Sequence, residues 1–285
     1  MFGAMPSDLR TINLQNLPDV IHIMNESSRG MSFEWNLDLF SFLAFLRYWD
    51  FSYEHSLIGY VEGEPAALII NCIDPAAHEA YTVYWGALPK FRTQRISILL
   101  FNESCKKLRD DGYFLLHGSS VPDRPVRRYR FIQASPQLSI VDMNADAPVL
   151  PDPDPTVEVR AIDVNDLANF SLAPGESLHW CQRLPFLRNI APYQQLLGAF
   201  RENVLQAYAV SLPKARDTTI SDLRCIADDP SPGYELLRWL LTNSYRPPFT
   251  ALYVFEQSYA YRILTSAGCS PTRQFATLSR DLRAA

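Results

Sequence analysis

The alternation of apolar and polar residues predicts a strand–turn–helix–strand unit within the first half of the chain. Residues 81–87 are rich in β-branched and aromatic side chains, which favours a strand, and Pro89 ends it because proline has no N–H to donate. Between Ile96 and Leu108, apolar residues recur near helical spacing. Gly112 is typical of the residue that follows a helix, and residues 113–116 begin another strand.

The residues before this unit follow similar patterns. Residues 9–14 predict a first strand, and residues 17–24 and 37–49 predict two helices. Residues 56–73 predict a hairpin with its turn at Gly63. The expected order of elements is therefore a strand, two helices, three strands, a helix and a strand.

The second half begins with the same pattern as the first. Residues 157–162 predict a strand, and residues 164–170 predict a short helix. Between the halves, residues 147–156 contain four prolines with acidic spacers, and proline at this density forms the stiff, extended chain that suits a linker. We therefore predict two domains, at residues 1–146 and 157–285, joined by this Pro-rich linker.

The turn after residues 81–87 carries three cations, Lys90, Arg92 and Arg95, directly before the predicted helix. A helix N-terminus presents free backbone N–H groups and a partial positive charge, so it suits a phosphate. Charge alone leaves open the alternative that this is a solvated basic turn.

The order of residues in this turn resembles motif A of the GNAT acyltransferase superfamily. In that family a strand leads into V-x-P-x-x-R-G-x-G-x-G/A and then a helix, and the turn amides bind the pyrophosphate of an acyl-coenzyme A. Arg92 and Ile96 match the motif, whereas its three glycine positions are Thr93, Arg95 and Ser97. The central arginine could crowd the pyrophosphate or add a charge-assisted contact to it. The resemblance implies a cofactor site formed by Ala87, Leu88, Arg92, Thr93, Gln94, Arg95, Ile96 and Ser97.

The resemblance also implies the fold and the role of each half. We expect an α+β protein of two tandem GNAT-like domains, each a mixed, mostly antiparallel sheet flanked by helices. The first domain is expected to bind acyl-CoA. The second is expected to lack the cofactor, because residues 227–232 place two aspartates and two prolines where an anion site needs glycines and cations.

The loop between the first two predicted helices resembles the loop that lines the acyl-acceptor pocket in that family. On this basis Phe33 and Trp35 are expected to contact the acceptor, and Glu34 to serve as the base that removes a proton from the amine. Glu79 and His78 are alternative bases. The other interpretation is that the aromatic residues of this loop cap the core.

Two further catalytic roles follow from the resemblance. Asp123, Pro125 and Tyr129 resemble the segment whose tyrosine protonates the departing coenzyme A thiolate, which implies Tyr129 as the general acid. A packed or surface tyrosine is the alternative. Backbone N–H groups near Ala87 and Leu88 are expected to polarise the thioester carbonyl.

Composition excludes several other classes of protein. The formal charge of −5 argues against a general nucleic-acid binder. The sequence contains no run of 18 apolar residues, so no membrane span is predicted. No signal peptide is evident, so a cytoplasmic location is expected. The five cysteines form no C-x-x-C pair and no zinc spacing, which predicts buried thiols and no metal.

The sequence therefore predicts a GNAT-type N-acyltransferase. It is expected to move an acyl group from acetyl-CoA or a related acyl-CoA to the amine of a small molecule or peptide, as a monomer or homodimer. The alternative is a catalytically inactive protein of the same fold that binds or senses a ligand or partner, which the missing glycines favour.

Overall fold

A computed structural model describes residues 7–30, 34–120, 135–172, 178–213, 218–226, 229–243 and 246–283. The chain divides into two compact units. The first unit comprises Met1–Gln137 and Thr277–Ala285, and the second comprises Leu138–Ala276. Residues 147–156, predicted as a linker, fall within the second unit, because the strand before them pairs with a strand of that unit.

The first unit contains a sheet in which the strand order is β1-β2-β3-β4-β5-β12. Its first five strands are antiparallel to their neighbours except for β4 and β5, which run parallel. The strands are β1 Ser7–Thr11, β2 Leu57–Val61, β3 Glu64–Asp74, β4 Glu79–Ala87 and β5 Leu115–Ser120. The helices are α1 Leu17–Ser28, α2 Leu39–Trp49 and α3 Ile96–Asp110, with a 3-10 turn at Pro89–Gln94 before α3.

The second unit contains a sheet in the order β12-β6-β11-β10-β9-β8-β7. The pair β10 and β11 is parallel, and the pairings of β7 with β8, β8 with β9, β9 with β10 and β6 with β11 are antiparallel. The strands are β6 Ser135–Ala145, β7 Glu158–Ala161, β8 Gln195–Arg201, β9 Val204–Pro213, β10 Thr218–Cys225, β11 Phe249–Phe255 and β12 Ser270–Asp281. The helices are α4 Leu184–Ile190, α5 Ser231–Asn243 and α6 Tyr259–Ser266. These arrangements confirm the predicted α+β fold with mostly antiparallel sheets.

The same substructure occurs once in each unit. In the first, β4 is antiparallel to β3, parallel to β5 and followed by α3. In the second, β10 is antiparallel to β9, parallel to β11 and followed by α5. Both middle strands carry one extra residue relative to the preceding strand, Val83 in β4 and Ser221 in β10. The repeat suggested by the sequence is therefore present at the level of strand pairing.

Local signals set the ends of the first unit's helices. The Asp38 side chain accepts a hydrogen bond from the Ser41 N–H at 2.7 Å, which caps α2. After α3, Gly112 has φ +88°, and the Tyr113 N–H returns to the Leu108 carbonyl at 2.9 Å. This is the left-handed C-terminal turn for which glycine is favoured.

Candidate functional site

The strands β4 and β5 stop pairing where β4 bulges. Their parallel register runs from Glu79 opposite Leu115 to Thr82 opposite Gly118. The next residue of β4, Val83, is the extra residue of a β-bulge, since Thr82 pairs with Asn71 and Tyr84 with Ile70. A bulge leaves one residue out of the ladder and bends its strand. The pairing of these two parallel strands therefore ends before their carboxyl ends, and we call the place where it ends the opening. Ligands bind at the carboxyl ends of parallel strands in many folds.

The turn that follows β4 leads into an N-terminus of α3 that no side chain caps. The amides of Ile98 and Leu99 both bond to the Arg95 carbonyl, at 2.9 and 3.1 Å. Arg95 itself has φ +58° and ψ 5°, and its side chain is exposed. The first amides of a helix have no acceptor one turn earlier within the helix, so the Ile96 and Ser97 amides are candidates to meet an anion at this terminus.

Two of the three predicted cations bond within the protein. The Arg92 guanidinium donates to the carbonyls of Ser27 at 2.8 Å and Ala87 at 3.4 Å, which ties the end of α1 to the end of β4. Lys90 forms an ion pair with Glu64 and lies over the Phe91 ring. Arg95 is the exposed cation nearest the start of α3.

The remaining residues of the predicted cofactor motif have different environments. Leu88 is buried, and its N–H donates to the Ala66 carbonyl at 2.9 Å, so this amide serves the pairing with β3. The Ser97 carbonyl accepts a hydrogen bond from Trp85 Nε1 at 2.8 Å. Thr93 and Gln94 lie in the 3-10 turn. Of the two residues expected to polarise the thioester carbonyl, Leu88 thus has its amide engaged with β3.

The end of β4 is held between α1 and the turn. The Tyr84 hydroxyl hydrogen-bonds the Ser27 hydroxyl at the end of α1. A Cβ at Gly86 would lie 2.6 Å from the Tyr84 hydroxyl oxygen, so glycine leaves the room that this tyrosine occupies. Both contacts position the strand that borders the opening.

Two polar pairs join β4 and β5 just before the opening. Glu79 Oε2 lies 3.0 Å from His117 Nε2, and the hydroxyls of Tyr81 and Ser119 are 2.9 Å apart. Trp49 of α2 stacks on the Tyr81 ring at 5.9 Å with an interplanar angle of 7°. The sequence prediction named Glu79 but missed His117, because only the parallel register brings the two strands' side chains together.

The predicted acceptor residues lie at the start of the α1–α2 connection. Glu34 Oε1 accepts a hydrogen bond from the Gly30 N–H at 2.6 Å, and the Trp35 N–H donates to Ser28 Oγ at 2.8 Å. The Trp35 ring packs edge-on against Phe45 at 5.3 Å. Phe33 and Tyr129, together with Asp123 and Pro125, lie outside the described residues.

His78 lies at the amino end of β4, away from the opening. Its ring stacks on Phe114 at 5.1 Å, and Nδ1 is 3.2 Å from the Gly112 carbonyl. Five residues separate it from Val83, about 17 Å along an extended strand. His78 therefore lies farther along the strand from the opening than His117, which stands opposite Tyr81.

The second unit has a corresponding opening, with a different helix N-terminus beside it. The pairing of β10 with β11 ends at Ile220 opposite Ala251, next to the bulge at Ser221. Asp229 Oδ1 accepts a hydrogen bond from the Ser231 N–H at 2.9 Å, at the start of α5. Arg201 binds Asp229 at 2.6 Å, so this terminus already carries an anion of the protein.

Burial raises the pKa of Asp229, but hydrogen bonds from the Ser231 amide and from Arg201 outweigh it, and the net pKa is lowered. The carboxylate is therefore ionised at neutral pH. A negative charge at this point repels a phosphate.

Side chains of the second unit also bind one another at its opening. Arg224 Nε donates to Asp222 Oδ1 at 2.8 Å, and both side chains are almost completely buried. The Tyr208 hydroxyl donates to the other Asp222 oxygen at 2.7 Å, and Arg224 Nη2 donates to Gln182 Oε1 at 2.6 Å. Asp222, Arg224 and Gln182 line a small cavity there. These polar groups are satisfied by the protein itself.

The part of the chain that the structure describes contains no group of three His, Cys, Asp or Glu residues arranged to hold a metal ion. All five cysteines are buried and unpaired as disulfides. Within the same residues, every helix is too short or too polar to cross a membrane.

Comparison with known proteins identifies the fold. No protein-family model matches the sequence, and no curated protein matches it. Solved structures do match over nearly the whole chain. A GCN5-related N-acetyltransferase from Sphaerobacter thermophilus has a TM-score of 0.71 at 11% identity, with 98% of this chain and 97% of that chain covered.

Two further structures support the same fold. A tandem GNAT protein from the clavulanic acid biosynthesis pathway has a TM-score of 0.69 at 11% identity, with 97% of this chain and 98% of that chain covered. A GCN5-related N-acetyltransferase from Kribbella flavida has a TM-score of 0.62 at 15% identity and covers 98% of this chain and 72% of that chain. The chain therefore has the GNAT fold. The tandem arrangement expected from the sequence is confirmed.

Proposed function

We propose that the first unit binds an acyl-CoA and transfers its acyl group to the amine of a small molecule or peptide. One observation carries the proposal: in a tandem GNAT fold, the bulge of β4, the end of its pairing with β5 and the uncapped start of α3 occur together. This combination offers a groove for an extended chain and an anion site beside it.

The anion site fits a diphosphate. The Ile96 and Ser97 amides precede the helical ladder, and the partial positive charge of α3 adds to that of the exposed Arg95. Arg95 stands where the family motif has its central glycine, yet its φ of +58° is the left-handed conformation that glycine favours. The backbone of Arg95 therefore has the left-handed conformation that glycine favours, and its side chain adds a positive charge.

The proton chemistry is assigned to His117. An acyl-CoA supplies a thioester carbonyl with a good leaving group. The acceptor nitrogen attacks that carbonyl carbon, the C–S bond breaks, and the nitrogen gives up a proton that His117 accepts directly or through water. With Glu79 accepting from Nε2, the neutral imidazole carries its lone pair on Nδ1. Glu79 is the residue that positions this ring.

His117 is close enough to the opening for this role. It follows Leu116, which pairs opposite Ala80, so His117 stands opposite Tyr81 and two residues before the bulge at Val83. Two residues of strand span about 7 Å, a distance that the imidazole side chain and one water can cover together. Glu34 remains a second proposed base, and Tyr129 remains the proposed general acid for the thiolate.

A non-catalytic ligand sensor is the second candidate function. It is favoured by the 3-10 turn at Pro89–Gln94, because the i→i+3 bonds of such a turn use amides that a glycine-rich loop would offer to phosphate. In this case a ligand would bind at the opening and no acyl group would be transferred.

Calorimetric titration with acetyl-CoA and with free coenzyme A tests the proposal. We expect one site per chain, and a rise in melting temperature with ligand, because a ligand that binds only the folded state stabilises it. A panel of amines, polyamines and amino acids is then assayed for release of free thiol from acetyl-CoA. Binding without thiol release supports the sensor, and absence of binding at millimolar acetyl-CoA contradicts acyl transfer.

A further inference from the structure

Arg280 of β12 is a cation whose charge has no counterpart among the described residues. It lies in the part of β12 that belongs to the first unit. Its Nε and Nη1 atoms are buried and have no hydrogen-bond partner. The guanidinium carbon lies 5.4 Å from the centre of the Phe101 ring, on α3. A cation–π contact of this kind offsets only part of the cost of removing a guanidinium from water.

The Cys105 thiol, which Arg280 influences electrostatically, does not supply a negative charge. Burial raises the pKa of the Cys105 thiol to about 11, even though Arg280 and Arg109 both act to lower it. The thiol is therefore neutral at physiological pH and cannot balance a cation. Buried N–H donors without a partner are costly, so proteins bond such donors or use them to bind something.

Other arginines of the chain show how this protein pairs such groups elsewhere. Arg224 is 2% exposed, and Asp222 and Gln182 bind it. Arg92 donates to two backbone carbonyls. Arg280 is half-buried, and it differs because two of its guanidinium nitrogens are buried without a hydrogen-bond partner.

A short series of contacts connects Arg280 to the start of α3. Phe101 packs against the Trp85 ring at 4.9 Å, and Trp85 Nε1 donates to the Ser97 carbonyl in the first turn of α3. Phe101 is five residues after Ile96, about 7.5 Å along the helix axis. Arg280 is thus set inward from the proposed diphosphate site, on the side of α3 that packs on the strands.

We propose that Arg280 recognises a carboxylate carried by the ligand of the first unit. The inference rests on the proposed function, which assigns the phosphates of the cofactor to the helix N-terminus. The anion at Arg280 is then a different group, and a planar guanidinium matches a carboxylate. This carboxylate belongs either to the acyl chain, as in a dicarboxylic acyl thioester, or to the acceptor, as in an amino acid.

Two variants test the proposal, Arg280→Met and Arg280→Lys. Methionine keeps an unbranched apolar stem without charge, and lysine keeps the charge without the planar fork. In the first arm, dissociation constants are measured for acetyl-CoA and succinyl-CoA. In the second arm, acetyl-CoA is the donor, and kcat/KM is measured for an α-amino acid and for the amine that lacks its carboxylate.

In one of the two arms we expect the wild type to favour the carboxylate-bearing compound by at least about tenfold, equivalent to about 1.4 kcal/mol. Arg280→Met should remove that preference without changing the affinity for acetyl-CoA, and Arg280→Lys should restore part of it. No preference in either arm overturns the proposal. Equal weakening of acetyl-CoA and succinyl-CoA also overturns it, because the anion would then be a phosphate.

Thermal unfolding without ligand separates recognition from a purely structural role. Removing two buried nitrogens that have no hydrogen-bond partner should leave the melting temperature of Arg280→Met equal to that of the wild type or higher. A clear fall would show that Arg280 supports the fold, and would overturn the inference. If no acyl-CoA binds, but succinate raises the melting temperature of the wild type and not of Arg280→Met, the proposed acyl transfer fails while the carboxylate site stands.

Discussion

The Asp229 side chain caps α5 by accepting a hydrogen bond from the Ser231 N–H at 2.9 Å. The helix at the corresponding point of the first unit, α3, begins at Arg95 with no side-chain cap. The N-terminus of α5 thus carries the carboxylate of Asp229. The N-terminus of α3 carries the Arg95 cation, beside the partial positive charge of the helix. This difference is why we assign cofactor binding to the first unit alone.

Replacing Asp229 by alanine should destabilise the second unit by about 1–2 kcal/mol, because the α5 cap is lost and Arg201 loses a partner. Affinity of the first unit for acetyl-CoA should not change. Urea unfolding and calorimetry measure the two effects. Asp163→Ala removes a cap of a 3-10 helix and is the matched control, for which a smaller loss is expected because no arginine binds Asp163.

The stability given by Asp229 should also depend on pH. Its folded pKa lies below the ordinary value of 3.8, so the folded state binds a proton less readily than the unfolded state. The contribution is therefore fully present above pH 3.8 and is lost as the pH falls through the folded pKa. Between pH 5 and pH 3, the difference in unfolding free energy between wild type and Asp229→Ala should shrink. A constant difference would contradict this assignment.

The Arg95→Asn variant tests how much the Arg95 charge contributes to acetyl-CoA binding, without loss of the stability of the turn. Asparagine tolerates the left-handed conformation that Arg95 adopts, so the unfolding free energy should stay equal or rise by up to about 1 kcal/mol. Binding of acetyl-CoA should weaken several-fold, because one exposed cation beside the proposed diphosphate is lost. Unchanged affinity would place the phosphates elsewhere. Arg10→Asn, on β1, is the control for loss of an exposed arginine.

His117→Ala should lower kcat by about 10² or more with little change in KM, because a general base acts in the transition state. Glu79→Gln should have a smaller effect on kcat and should alter the pH profile, since it leaves the ring without its anionic partner. His78→Ala is the control, because that ring lies on Phe114. Full activity of His117→Ala would assign the base to another residue, with Glu34 tested next.

Asp222→Ala should destabilise the second unit by about 3–5 kcal/mol, because it leaves the Arg224 guanidinium buried without its carboxylate. The double variant Asp222→Leu with Arg224→Met removes both charges and should recover most of this loss. A double-mutant cycle on urea unfolding measures the coupling. Additive effects of the two changes would show that the pair is not energetically coupled.

Some of these features follow directly from local sequence. The strand predicted at residues 81–87 lies within the observed strand at 79–87, and the helix predicted from Ile96 to Leu108 lies within the observed helix at 96–110, followed by the glycine turn at Gly112. The sequence also shows Asp229 between prolines and aspartate before the corresponding helix of the second unit, where an anion site needs glycines and cations. The GNAT fold itself was recognised from the order of elements around one motif, which lacks its three glycines in this chain.

Other features could not be read from the sequence. His117 and Glu79 are 38 residues apart, and only the parallel register of β4 and β5 brings their side chains to 3.0 Å. Arg92 was predicted to bind phosphate, but α1 packs so that the Ser27 carbonyl accepts from its guanidinium. Neither contact can be predicted from the spacing of apolar and polar residues along the chain.

The sequence by itself determined which elements form and in what order, because backbone propensities, turn residues and apolar spacing act over a few neighbouring residues. Tertiary structure alone decided that Val83 leaves its ladder where β4 parts from β5, and that Asp222 and Arg224 are satisfied together with Gln182. It also decided that two nitrogens of the Arg280 guanidinium are buried without a hydrogen-bond partner. Those outcomes depend on strand register and on packing between residues far apart in the chain. Charges and hydrogen bonds acquire their chemical meaning only when such distant groups are brought together and water is excluded.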